Sequence, residues 1–235
     1  PINVGGRIRL FEGGEMSVSY QRGDRLGVVY PRAVTVVDDR GEEVPAQIVE
    51  VELDYSTYMA HVEARVTAPA LGCRALDVSL AAGKPPAEEP RPPQVTEVDN
   101  GILRLRFDAD SGWLAGLTDM ASGVEFLAEP GAVPLVIDDP SDTWSHGVDA
   151  FREVIGRFGA TRAPQLMADG PLRHTVRVAG AWGSSEVMQE LTLYSDTPWV
   201  DVTLTVDWHE RHRMLKLAFP LAIEEVTVTA SAPYG

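Results

Sequence analysis

The sequence predicts an all-β protein in two units, a small β-sandwich over residues 1–82 and a larger antiparallel β domain over residues 94–235. Three observations predict it. Stretches such as residues 200–208, VDVTLTVDW, alternate apolar and polar side chains with period two, the pattern of a strand with one buried and one wet face. Turn-forming clusters such as Gly13-Gly14, Asp38-Asp39-Arg40-Gly41 and Ser111-Gly112 interrupt the β-rich runs at short intervals. No segment stands out with a helical period, so helix is expected in fewer than about a sixth of the residues, against a usual third.

In the first unit, β-rich runs at residues 25–37 and 60–66 stand between turn signals and Pro69, the spacing expected of a small sandwich. Residues 83–93, GKPPAEEPRPP, then form a linker. Their five prolines remove backbone donors and favour extended polyproline conformation, which makes a semi-rigid spacer. The second unit opens on a meander: residues 101–108, a turn at Ser111-Gly112, residues 113–119, a turn at Ala121-Ser122-Gly123, and residues 124–127. Residues 172–182 and 186–194 form a hairpin about Gly183-Ser184-Ser185. A last hairpin is expected to join residues 200–208 to 213–219 across the polar corner 209–213, with Pro220 ending the ladder. Val202, Leu204, Val206, Leu215, Leu217 and Phe219 are expected to be mostly buried there, and Asp201, Thr203 and Thr205 to face solvent or a domain partner.

With 20 basic and 35 acidic side chains the net charge is −15, which disfavours nucleic acid and anionic membranes as partners and leaves a neutral ligand compatible. The single cysteine, Cys73, excludes an intrachain disulfide and reads as a core thiol in an apolar context. No run reaches about 18 consecutive apolar residues, and the opening PINVGGRIRL lacks the charged and then apolar regions of a signal peptide. No membrane partner and a cytoplasmic location are therefore the expectations. The chain begins at Pro1 without an initiating Met and reads as an excised fragment.

No catalytic or metal-binding set emerges from the residue patterns. His209, Glu210 and His212 are one residue short of the His-Glu-x-x-His spacing that places two imidazoles on one helix face, and read as a charged corner with Arg211 and Arg213. Asp138, Asp139 and Asp142 share a loop with Pro140, where Asp is common because it forms turns, so a catalytic carboxylate pair is the weaker reading. Residues 138–149, DDPSDTWSHGVD, nevertheless combine what a sugar ring wants. An indole can stack on its C–H faces while carboxylates accept its hydroxyl protons. Asp142, Trp144 and His146 are the candidate substrate-binding residues, with Trp144 as a buried plug beneath the loop the competing reading.

Four stretches carry a resemblance to a known family. They are VDNGILRLRFDADSGWLAGLTDMASGVEFL at 98–127, DPSDTWSHGVDAFRE at 139–153, DWHERHRMLKLAFP at 207–220 after ELTLYSDTPWVDV at 190–202, and APYG at 232–235. In this order and spacing the chain resembles the β-rich C-terminal half of the α-mannosidases of glycoside hydrolase family 38. VVDDRGEEVPAQ at 36–47 and APALGCRALDV at 68–78 are similar to the small β domain that opens that half, whereas the opening before Arg25 departs from the family's Asn-Pro phrase.

The resemblance implies a supersandwich-type second domain, truncated before the end of the family's β half. It also implies a division of labour: zinc, held by His and Asp residues, and an Asp nucleophile belong to an N-terminal β/α barrel followed by a helical bundle. This chain carries no His-x-Asp motif and no alternating strand and helix pattern. The parent is thus expected to be a retaining α-mannosidase whose missing catalytic domain partners this noncatalytic portion, and the parent's carbohydrate is a mannoside. No cofactor is expected in this chain, zinc being implied only for the missing barrel. A free-standing carbohydrate-binding module and a purely structural docking sandwich are the alternatives.

Overall fold

The computed structural model describes residues 8–10, 16–18, 30–54, 57–67, 70, 73–86, 91–141, 144, 146–223 and 227. Among them there is no helix, and every regular element is a strand, as the alternation and the turn signals predict. The chain divides into two compact units that are each discontinuous in sequence. The first takes residues 1–94, 165–177 and 190–202, and the second takes residues 95–164, 178–189 and 203–235.

In the first unit, β1 (Ile8–Leu10), β2 (Met16–Val18), β3 (Tyr30–Asp38), β4 (Glu43–Val44), β5 (Ala46–Asp54), β6 (Thr57–Ala64) and β7 (Leu76–Gly83) form two sheets, in the orders β1-β2-β6-β5 and β4-β3-β7. Val36 and Ala64 are buried together. Val34, Val44, Leu76 and Val78 from one sheet and Ala46 from the other pack around them, so the two sheets share one apolar cluster. At the tip between β3 and β4, Asp38 accepts hydrogen bonds from the Arg40 and Glu42 amides at 2.9 and 3.0 Å and from Arg74 at 3.2 Å. Cys73 is exposed rather than buried, because the strand that follows it begins only at Leu76. The end of the proline-rich segment is tied down as well, since the Pro93 carbonyl accepts from the Leu166 amide at 2.8 Å.

The remaining strands are β8 (Glu97–Asp99), β9 (Leu103–Phe107), β10 (Leu114–Asp119), β11 (Val133–Asp138), β12 (Val154–Arg157), β13 (Gly159–Ala160), β14 (Gln165–Asp169), β15 (Arg173–Trp182), β16 (Ser185–Tyr194), β17 (Asp201–Asp207) and β18 (Arg213–Ala218). They pair as β10-β9-β8, β12-β11-β18 and β13-β15-β16-β17, with β14 also on β15. Gly13-Gly14 lies outside the described residues, whereas the turns predicted at Ser111-Gly112 and Ala121-Ser122-Gly123 form by the expected chemistry. The Asp108 carboxylate accepts from the Asp110 and Ser111 amides, and Asp119 accepts from the amide and hydroxyl of Ser122. Gly183 sits at φ +58° as the first of the two loop residues joining β15 to β16, a place where a side chain is strained.

Residues 124–127 do not add a full third strand to the meander, contributing only isolated bridges. They are held by Glu125, whose carboxylate accepts from the Leu117 amide at 2.7 Å, the Leu127 amide at 3.1 Å and the Thr118 hydroxyl at 3.1 Å. Partial burial by itself would raise its pKa. The hydrogen bonds and the neighbouring Arg106 outweigh that and hold it below the ordinary glutamate value. A carboxylate depressed on folding contributes stability above its unfolded pKa and loses it as the pH falls through the folded one. Glu125→Gln should therefore destabilise the chain at pH 7 and flatten its acid destabilisation below about pH 4.3. Thermal melts of both proteins across that range check it, and parallel pH profiles would show that Glu125 is not a contributor.

The expected hairpin between the last two strands does not form. β17 lies beside β16, whereas β18 pairs antiparallel with β11, from Val133 opposite Ala218 to Asp138 opposite Arg213. The corner between them is held elsewhere. Glu210 accepts from the Ser184 amide at 3.0 Å and the Ser185 hydroxyl at 3.2 Å, and the His209 amide donates to Ser185 Oγ at 2.9 Å. Anchored to the β15–β16 turn, the chain enters another sheet instead of reversing. The predicted burial fails with the hairpin: Val202, Val206 and Phe219 are exposed, and Leu204, Leu215 and Leu217 are half-buried. Among the described residues β17 is the outer strand of its sheet. Alternation identified which side chains share a face, but nothing local says whether that face is covered.

Candidate functional site

The segment from residue 139 to residue 153 leaves one end of β11 and returns into β12. β11, VPLVID, is apolar on both faces and lies between β12 and β18 in its sheet, and Val133, Pro134, Val136 and Ile137 are buried. A strand buried on both sides gives the loop a fixed base. At that base the Asp138 amide donates to the Glu153 carbonyl at 2.8 Å, and Arg213 donates to the Asp138 carboxylate at 2.7 Å. The Asp139 amide donates to the His212 carbonyl at 3.1 Å, with His212 itself at φ +53°. Asp139 then accepts from the amide and hydroxyl of Ser141, a turn that starts the loop. On the return side, Lys216 donates to the Phe151 carbonyl at 2.6 Å.

These contacts engage two members of the acidic cluster. Asp138 and Asp139 are engaged in holding the loop, Asp138 through a half-exposed ion pair and Asp139 through a turn. Asp142 lies outside the described residues. Trp144 is 79% exposed, so the buried-plug reading of that side chain is overturned, and His146 is exposed on the same loop. The structure thus presents an indole and an imidazole to solvent from a loop whose two ends are pinned. That arrangement can stack on and hydrogen-bond a polar ring.

The polar corner also makes local contacts. Glu210 caps the β15–β16 turn and His209 Nε2 lies 2.9 Å from the Asp207 carboxylate. Among the described residues no three His, Cys, Asp or Glu side chains converge in a way that could hold a metal ion. Trp199 is a residue that the sequence reading missed. It sits between β16 and β17 and is 55% exposed. The available signal was the Asp196-Thr197-Pro198 run before it, which breaks the strand pattern.

Fold and loop together define an all-β module that presents an aromatic loop from a strand buried on both faces. The chain belongs to the family of the glycosyl hydrolases family 38 C-terminal domain, whose model matches residues 98–235. It is 30% identical over 202 residues to alpha-mannosidase 2C1 of Mus musculus, an overlap of 75% of this chain and 18% of that protein. To alpha-mannosidase 2C1 of Homo sapiens it is 31% identical over 153 residues, covering 59% of this chain and 14% of that protein. Among solved structures it is similar in fold to an alpha-mannosidase from Enterococcus faecalis V583. That likeness has a TM-score of 0.50 and 14% identity, over 81% of this chain and 26% of the other. The chain therefore spans under a fifth of the length of the curated relatives it matches.

Proposed function

We propose that this chain is the noncatalytic β portion of an α-mannosidase-like glycoside hydrolase, packed on a zinc-dependent catalytic barrel, with residues 139–153 bordering the sugar site. The parent would hydrolyse terminal α-mannosides with retention. The observation that carries this reading is the family match over residues 98–235 in a chain that spans 18% of its mouse relative. The zinc that the family implies has no converging ligand set among the described residues, so no chemical step is assigned to this chain. Its contribution is contact: Trp144 stacks on the substrate and His146 and Asp142 hydrogen-bond its hydroxyls. A cytoplasmic location belongs to the same proposal and is checked by fractionating cells that express the parent.

The decisive assay compares the parent with the 235-residue chain on an aryl α-mannoside, with and without zinc. Turnover is expected from the parent alone. Trp144→Ala in the parent should weaken sugar binding by about 1–3 kcal/mol, through the lost aromatic contact and buried area. Unchanged kinetics in that variant would remove Trp144 from the sugar site. The exposure of Trp144 also favours a second reading, a carbohydrate-binding module active by itself. Titration of the isolated chain with mannose and mannobiose separates the two, since only a free-standing module releases heat of binding.

A further inference from the structure

We propose that β12 is the surface on which the remainder of the parent polypeptide docks, through a face that is acidic and bears apolar side chains. The proposal rests on the reading of this chain as one portion of a larger hydrolase, and it names the contact surface. Among the described residues β12 is the outer strand of the β12-β11-β18 sheet, so one backbone edge has no strand beside it. Its apolar residues are not covered: Val154 is 45% and Ile155 is 38% exposed. Val154 pairs with Ile137 of β11, which is buried.

The irregularity of the strand adds a second observation. Val136 pairs with Gly156 and Ile137 with Val154, so Ile155 is an extra residue without a partner on β11. Such bulges occur at sheet edges and beside functional surfaces, where they re-aim a side chain. The inner part of the strand is occupied: a Cβ at Gly156 would lie 2.3 Å from the Trp182 indole nitrogen. The strand is thus packed at Gly156 and open at Val154 and Ile155.

Charge selects the occupant. Arg152 and Arg157 flank the open pair, are exposed, and have no carboxylate partner among the described residues, although the chain carries a net charge of −15. Glu153 is the single acid between them. A second copy paired antiparallel about Val154 and Ile155 would set Arg152 against Arg157, a like-charge pair that opposes self-association. An acidic face answers both arginines, and relatives several times longer than this chain supply ample polypeptide to provide it.

Hydrogen exchange measured on the parent and on the 235-residue chain tests the proposal. Amides of residues 152–157 are expected to exchange roughly tenfold or more slowly in the parent. Arg152→Glu with Arg157→Glu in the parent should abolish that difference, while the double Lys variant keeps it. Equal exchange in the parent and the chain overturns the proposal, as does protection in the isolated chain accompanied by dimer formation in light scattering. Mannoside turnover measured on the same parent sample keeps the two readings apart. Turnover without protection removes only the docking surface, and protection without turnover removes only the mannosidase reading.

Discussion

Trp113→Ala is expected to lower the stability of the second unit by about 3–5 kcal/mol, the range for deleting a large aromatic side chain from a core. Trp113 is 4% exposed, and two of its ring carbons lie 2.9 Å from where a Cβ on Gly180 would stand. The indole therefore fills space that a glycine leaves open. Its removal leaves a void that glycine cannot fill. The same ring donates from Nε1 to the Phe158 carbonyl at 3.1 Å in a buried setting, so truncation also leaves that acceptor unmatched. Trp113→Phe, which keeps most of the volume and loses the donor, should cost less than the alanine change. Urea denaturation followed by two probes checks this, because a chain of two units need not unfold in one step. An unchanged midpoint in every transition would show that Trp113 does not support the core.

Gln47→Ala should produce the second large loss, in the first unit. Gln47 is 6% exposed on β5, and its side-chain oxygen accepts from the Leu172 amide at 2.8 Å and the Arg173 amide at 3.1 Å. It caps the turn that enters β15, more than a hundred residues away in sequence. Each buried donor left without a partner costs about 1–3 kcal/mol. Gln47→Met keeps the volume and removes the acceptor, so a loss close to that of alanine assigns the effect to hydrogen bonding. A loss seen with alanine alone would assign it to packing. The capping also explains Gly170, where a Cβ would come within 2.6 Å of the Gln47 oxygen.

The candidate loop was legible in part. Its composition marked it as a polar, aromatic-bearing segment, and Trp144 and His146 are exposed on it. What holds it was not legible. Arg213 and Lys216 reach the loop base from β18, and β18 was expected to pair with β17 rather than with β11. The error had a physical origin: two alternating runs joined by a short polar corner satisfy the local conditions for a hairpin. The corner residue Glu210 instead finds its partners at Ser184 and Ser185.

By itself the sequence determined the all-β class, the turns at Ser111-Gly112 and Gly183-Ser184, and which side chains share a strand face. These follow from the pleat and from short-range hydrogen bonding, which act over a few residues. Only the tertiary structure decided that Val202 and Val206 stay exposed, that β11 is buried on both faces, that Cys73 is not in the core, and that Gln47 caps a distant turn. Coverage of a face and the partner of a buried polar group depend on which distant strand arrives beside it. Period-two alternation carries no information about that arrival, because the same pattern serves an edge strand and a covered one equally well.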